Sequence, residues 1–241
     1  MEKPKNIWDV HHHWVAEEGY IDRLLREMDR LGVEKTGLIV MGPLMRDLFR
    51  QNTGCEMATH EEVAEVVQKH PGRFWGYGYI RPGHSPLEDV DRYHEMGIQA
   101  LKFHMSAKPY GDEEYFPIYA RANELKMPCL FHTGIFYPPH QMPGEGIRSE
   151  NYRPIHLEPI GHEFPDLKII IAHLGVIWNK EAATLCRMFP NIFADLSGRV
   201  DGWRSAMTVE QFGQLLYWPD AYKKFLFGSD VHADEMEETI E

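Results

Sequence analysis

The segment Ile7-Trp8-Asp9-Val10-His11-His12-His13 sets an acid and three consecutive histidines behind an apolar lead. On a β-strand side chains alternate, so Asp9, His11 and His13 fall on one face and Val10 and His12 on the other. Two imidazoles two residues apart on one strand can reach the same metal ion. The competing explanations are a surface histidine cluster or the remnant of a purification tag. A tag fits poorly, because only three histidines occur together and they lie inside an apolar-led segment. What the rest of the chain brings to this motif decides between them.

The elements that would position it alternate regularly. Strands are predicted at Ile7 to His13, Thr36 to Met41, Phe74 to Ile80, Ile98 to His104, Pro128 to Thr133, Lys168 to His173, Asn191 to Ser197 and Phe225 to Asp230. Amphipathic helices are predicted at Tyr20 to Leu31, Glu56 to Lys69, Leu87 to Met96, Glu114 to Lys126, Ile155 to Glu163, Glu181 to Met188 and Val209 to Leu216. Near-continuously apolar strands are what a parallel sheet requires. Eightfold strand-helix alternation predicts an α/β fold, a (β/α)8 TIM barrel, as one domain over residues 1–241. Only eleven residues follow the last strand, and they are acidic, so the eighth helix is expected to be short or missing. A partner subunit, as in a homo-oligomer such as a dimer, or further residues would then cover the face between the first and last strands.

Composition narrows the field. A net charge of -12 argues against nucleic acid or an anionic membrane as the main partner. No apolar run approaches the roughly 20 residues that span a bilayer. The first six residues lack the apolar core of a signal peptide. Cys55, Cys129 and Cys186 lie far apart, which suits a reducing cytoplasm and offers no thiolate metal site.

In such barrels, polar residues at the C-terminal strand ends read as catalytic. Here strand one ends in His11 and His13, strand four in Lys102-Phe103-His104, strand five in His132, strand six in His173 and strand eight in Gly228-Ser229-Asp230. A single buried histidine is usually a satisfied core residue, but packing does not explain five at one end of a barrel. Imidazole and carboxylate donors without cysteine suit Zn2+ or a similar first-row divalent ion. Such an ion makes hydroxide available near neutral pH and polarises a carbonyl, while a neighbouring carboxylate moves the proton.

These pieces together resemble the amidohydrolase superfamily, in its amidohydrolase-2 (aminocarboxymuconate-semialdehyde decarboxylase-like) branch. The resemblance runs from Ile7 to Asp230. It is carried by Asp9-Val10-His11-His12-His13, by Pro128 to Gly134, by Phe164 to Gly175, by Asn191 to Ser197 and by Phe227-Gly228-Ser229-Asp230, in the family's order. It implies that His11, His13 and His132 bind one divalent ion, Zn2+ foremost, with Mn2+ or Co2+ as substitutes. Asp230 would be fourth ligand or water-activating base, and His173 the acid/base or carbonyl polariser. Some relatives hold a second metal bridged by a carbamylated strand-four lysine, the place of Lys102; the mononuclear form is preferred here. The branch often follows its last aspartate with Trp or Tyr and then Pro, where this chain has Val231-His232.

Three loops should choose the substrate. Gly42 to Cys55 carries Arg46 and Arg50, Gly134 to Arg153 carries Tyr137, His140, Arg148 and Arg153, and Gly198 to Ser205 carries Arg199, Trp203 and Arg204. Arginines around the mouth of an acidic protein suggest capture of a small carboxylate, although any single one also serves as surface solvation. Lys102, His104, Arg46, Arg148, Arg153 and Arg199 are the candidate substrate contacts. The expectation is a metal-dependent hydrolase of an amide, lactone or ester. Non-oxidative decarboxylation or hydration with the same ligands is the alternative, and a non-catalytic metal-binding protein fits least.

Overall fold

A computed structural model describes residues 6–135 and 145–240. Eight parallel strands run in chain order around a nearly closed barrel: β1 (Ile7–His13), β2 (Val33–Ile39), β3 (Phe74–Ile80), β4 (Ala100–Phe103), β5 (Cys129–Phe131), β6 (Ile169–Ile171), β7 (Ile192–Asp195) and β8 (Phe225–Leu226). Around them lie α1 (Tyr20–Leu31), α2 (Pro43–Thr53), α3 (His60–Lys69), α4 (Glu88–Glu95), α5 (Phe116–Glu124), α6 (Glu158–Glu163), α7 (Asn179–Met188), α8 (Val209–Leu215) and α9 (Met236–Ile240). The expected TIM barrel is the fold. Strands covered on both sides must be apolar throughout, and Cys-Leu-Phe in β5 and Ile-Ile-Ile in β6 are buried along their whole length. On α1 the buried residues Tyr20, Leu24, Met28 and Leu31 recur every three to four positions and form one stripe.

Three features depart from expectation. Strands four to eight are shorter, and their polar end residues lie just past the ladders. The chain turns sharply there: His173, Leu174 and Asp230 adopt left-handed backbone angles, with φ of 55°, 48° and 51°. Second, the expected loop after strand two contains α2. Its signals are Pro43 in the first turn and Gly54 at the end, whose left-handed N–H bonds back to the Arg50 carbonyl. Third, the tail after β8 supplies part of its own cover. Ala233 and Met236 are fully buried against the cluster that holds Tyr20, Leu24 and Met28.

Among the described residues no ladder joins β8 to β1. The ring is closed instead by Val10 N–H to the Phe227 carbonyl at 2.9 Å and Asp230 N–H to the His11 carbonyl at 2.7 Å. No helix among the described residues is long and apolar enough to cross a membrane.

Candidate metal centre and active site

The opening motif does not alternate simply. Asp9 pairs with Thr36 and His12 with Leu38, so three steps on β1 face two on β2, and a bulge lies between. His11 and His12 are both fully buried, on different sides. His12 faces α1, as expected, with Nε2 2.9 Å from the Tyr20 hydroxyl and Nδ1 2.9 Å from Ser229 Oγ. Asp9 departs from the expected shared face. Its carboxylate accepts from Ser229 Oγ at 2.6 Å, Ser229 N–H at 2.9 Å and His11 N–H at 3.0 Å, which fastens β1 to the segment after β8.

His11 points to the barrel axis. Its Nδ1 donates to Asp195 Oδ2 at 2.8 Å, which leaves the Nε2 lone pair facing inward, 3.8 Å from Asp230 Oδ1. His13 Nε2 lies 3.5 Å from the same oxygen. His173 Nδ1 lies 3.6 Å from the other carboxylate oxygen and 2.9 Å from Ser197 Oγ. Gly228 permits this approach, because a Cβ there would stand 2.8 Å from both His11 Cβ and Ser197 Cβ. His173 and Asp230 hold left-handed backbone conformations that cost about 1 kcal/mol or more each, and such strain clusters at functional sites.

Two donor sets converge, each with its ligand atoms within 4.8 Å of one another: His11, His13 and Asp230, and His11, His173 and Asp195. His132 stands beside them rather than in either set. Its ring lies 5.3 Å from that of His173 and 4.2 Å from that of His104, and its buried Nε2 has no hydrogen-bond partner among the described residues. His13 Nδ1 is likewise buried and unpartnered. His11 and His13 both turn Nε2 toward one Asp230 oxygen, and the buried Nε2 of His132 lacks a partner among the described residues, so the residues present fit a divalent ion. Burial pushes His13, His104 and His132 far below the usual histidine range and His173 to about 4, which keeps their rings neutral.

Lys102 is fully buried on β4, with Nζ 3.1 Å from His11 Nε2. Burial lowers it to about 8 against the pull of Asp195 and Asp230. Its amine thus reaches the nitrogen that a cation would use.

Asp195 and Ser197 were absent from the candidate set. Asp195 accepts four hydrogen bonds, from His11 Nδ1, His173 N–H, Ser197 N–H and Ser197 Oγ. Burial raises its pKa, but His11 and these donors outweigh burial and hold it well below the carboxylate range. The signal was available, since Asp195 ends β7 at the same end of the barrel as the other site residues.

The cluster opens onto a cavity of about 430 Å³ lined by His13, Asp230, Met41, Met45, Phe49 and Met57. This wall is apolar, and the expected arginines are elsewhere. Arg50 pairs with Asp47 and Glu56, Arg153 with Glu181 and Glu150, and Arg199 with Asp201 and Glu235. Arg148 is exposed, and Arg46 lines a neighbouring cavity. Trp203 and Arg204 bond to the backbone of their own loop, at Ser197 and Gly198. Tyr137 and His140 lie outside the described residues.

The chain resembles solved barrels at low sequence identity. An uncharacterised TIM-barrel protein from Bordetella bronchiseptica matches with TM-score 0.70 and 15% identity, over 98% of this chain and 89% of that one. A dihydroxybenzoic acid decarboxylase from Polaromonas sp., with bound manganese and 2-nitroresorcinol, matches at 0.61 and 16%, over 98% and 90%. A probable 2-pyrone-4,6-dicarboxylic acid hydrolase from Acinetobacter baumannii matches at 0.64 and 12%, over 97% and 90%. At these identities the likeness shows the fold. Residues 8–239 match the family model described as Amidohydrolase (Amidohydro_2), and the chain belongs to that family.

Proposed function

We propose that this protein is a metal-dependent hydrolase that opens an amide, lactone or ester bond of a small substrate whose body is apolar. The observation that carries the reading is the setting of Asp230. One carboxylate oxygen faces His11 and His13, the other faces His173, and the group borders the apolar cavity. His11, His13 and Asp230 would hold the ion, with His132 nearby as a further ligand. When bound, a divalent ion such as Zn2+ supplies Lewis acidity that makes hydroxide available near neutral pH.

The chain's own groups do the rest. Asp230 accepts the proton of the attacking water as its oxygen bonds to the substrate carbonyl carbon. It returns that proton to the nitrogen or oxygen that leaves as the carbon-heteroatom bond breaks. His173, neutral and fixed through Ser197, lies beside the same carboxylate and can steady the carbonyl oxygen. Asp195 keeps His11 in the tautomer that presents Nε2. Met41, Met45, Phe49 and Met57 exclude water around the substrate body.

A second reading, non-oxidative decarboxylation, draws support from the same cavity, which suits an aromatic ring, and from the decarboxylase activity named for the Polaromonas neighbour. Turnover of lactone, ester, amide and aromatic carboxylate panels in 18O-water separates the two. Hydrolysis places one 18O in the product. Carbon dioxide release with no 18O in the organic product would overturn the hydrolase reading.

A further inference from the structure

A second cavity of about 430 Å³ opens on the far side of Met41, which lines both. Its character is different. Where the first is walled by methionine and phenylalanine, this one gathers hydrogen-bond donors from three elements. Arg46 comes from α2, Tyr79 and Arg81 from the end of β3, and Arg92 from α4.

Two of these donors lack a hydrogen-bond partner among the described residues. The Tyr79 hydroxyl is buried and has no hydrogen-bond partner among the described residues, although the residue is only 5% exposed. Arg46 Nε is buried and equally unpartnered, and no ion pair forms at Arg46 among the described residues. Arg81 and Arg92 are partly neutralised, by Glu145 at 2.5 Å and Asp89 at 2.8 Å. The cavity also meets the start of α2, whose cap is Gly42. That residue has no side chain to close the first turn, and it packs too closely on the Tyr79 ring to admit one. The dipole of an eleven-residue helix therefore ends here uncapped, beside an unpaired guanidinium and a buried phenol. Among the described residues the one acid lining the cavity, Asp89, already accepts both Nε and an Nη of Arg92.

A cationic ligand would repel the guanidinium and a neutral carbonyl would leave its charge uncompensated, whereas an oxyanion accepts from several donors at once and offsets that charge. We propose that this second cavity binds the oxyanion group, carboxylate or phosphate, of a small molecule, with Arg46, the Tyr79 hydroxyl and the α2 N-terminus as its principal donors. The assignment does not depend on the reaction performed at Asp230. It also gives Arg46 a role at a place separate from the histidine cluster.

The test is calorimetric titration of the metal-loaded protein with inorganic phosphate and, separately, with benzoate. At least one probe is expected to bind with one-to-one stoichiometry. Phosphate alone identifies a phosphoryl ligand, benzoate alone a carboxylate, and both the shared chemistry. Arg46→Gln is expected to weaken binding about tenfold or more, Arg46→Lys less, and Tyr79→Phe about threefold or more. All should retain the wild-type melting temperature. His13→Ala, which damages the other cavity, is expected to keep the affinity. Binding of neither probe overturns the proposal. So does binding that His13→Ala abolishes and Arg46→Gln leaves intact, because the anion would then sit at the histidine cluster. The 18O experiment reads the reaction alone, so the two proposals fail separately.

Discussion

Asp195 and His11, from β7 and β1, meet carboxylate oxygen to Nδ1 at 2.8 Å in the fully buried floor of the cluster. A carboxylate in that place fixes which imidazole nitrogen carries the proton and raises the basicity of the other. Asp195→Asn preserves shape but offers an amide that can turn its NH2 toward Nδ1 and favour the wrong tautomer. We expect a loss of about 10- to 100-fold in metal affinity or turnover. Metal content after dialysis against graded chelator, read beside the melting temperature, checks this. Wild-type metal retention and rate would show that the contact only packs the floor.

Asp9 carries a pH dependence. Burial pushes its carboxyl up from an ordinary value near 3.8 to about 6, against the opposing hydrogen bonds from Ser229 and His11. A carboxyl raised in the fold contributes stability below its unfolded value, and that contribution is lost as pH rises from about 4 through about 6. Above that window ionised Asp9 costs on the order of 3 kcal/mol. Asp9→Asn should therefore be more stable than wild type at pH 7.5, by up to that amount, with the gap closing near pH 4. The amide can donate to Ser229 Oγ, which then donates to His12 Nδ1. Chemical denaturation at both pH values tests the sign.

Removing the metal should leave the Nε2 atoms of His11 and His13 facing Asp230 uncompensated and the buried Nε2 of His132 without a partner. Ligand linkage at a hundredfold excess over Kd is worth about 2.7 kcal/mol, and chelation is expected to lower the melting temperature by about 5 °C or more. In His132→Gln that drop should shrink. A drop of unchanged size would place His132 outside the ligand set.

Phe49 belongs to the apolar wall. Phe49→Ala should raise KM for substrates with an aromatic or long aliphatic body by about tenfold, equivalent to ~1.4 kcal/mol of lost burial. It should leave metal content and kcat for a minimal substrate near wild type. Equal losses across both substrate sizes would mean that the residue supports the fold rather than the substrate.

The barrel was legible because its signal is global: eight apolar runs separated by seven amphipathic stretches admit few other packings. The convergence of His11, His13 and Asp230 follows from the same pattern, since each lies at or just past the C-terminal end of its strand. What local pattern could not convey was direction. Alternation placed Asp9 with His11, but a one-residue bulge turns the Asp9 carboxylate to Ser229. Loop position alone puts arginines at the mouth, yet Arg153 and Arg199 find acids on neighbouring elements, Glu181 and Glu235. The apolar wall is hidden from periodicity because Met45 and Phe49 lie on a helix that only its Pro43 and Gly54 punctuation signals.

The seam between β1 and the segment after β8 has a consequence for how the protein comes into being. His12 and Ser229, 217 positions apart, meet across it, and the same join brings Asp230 to His11 and His13. Contacts so distant in the chain form slowly, because loop closure is paid before they return anything. A partly folded chain whose ends have not met holds histidines without their carboxylate. Turnover thus reports the final closure of the ring, and a refolding assay that follows activity should lag one that follows helix content.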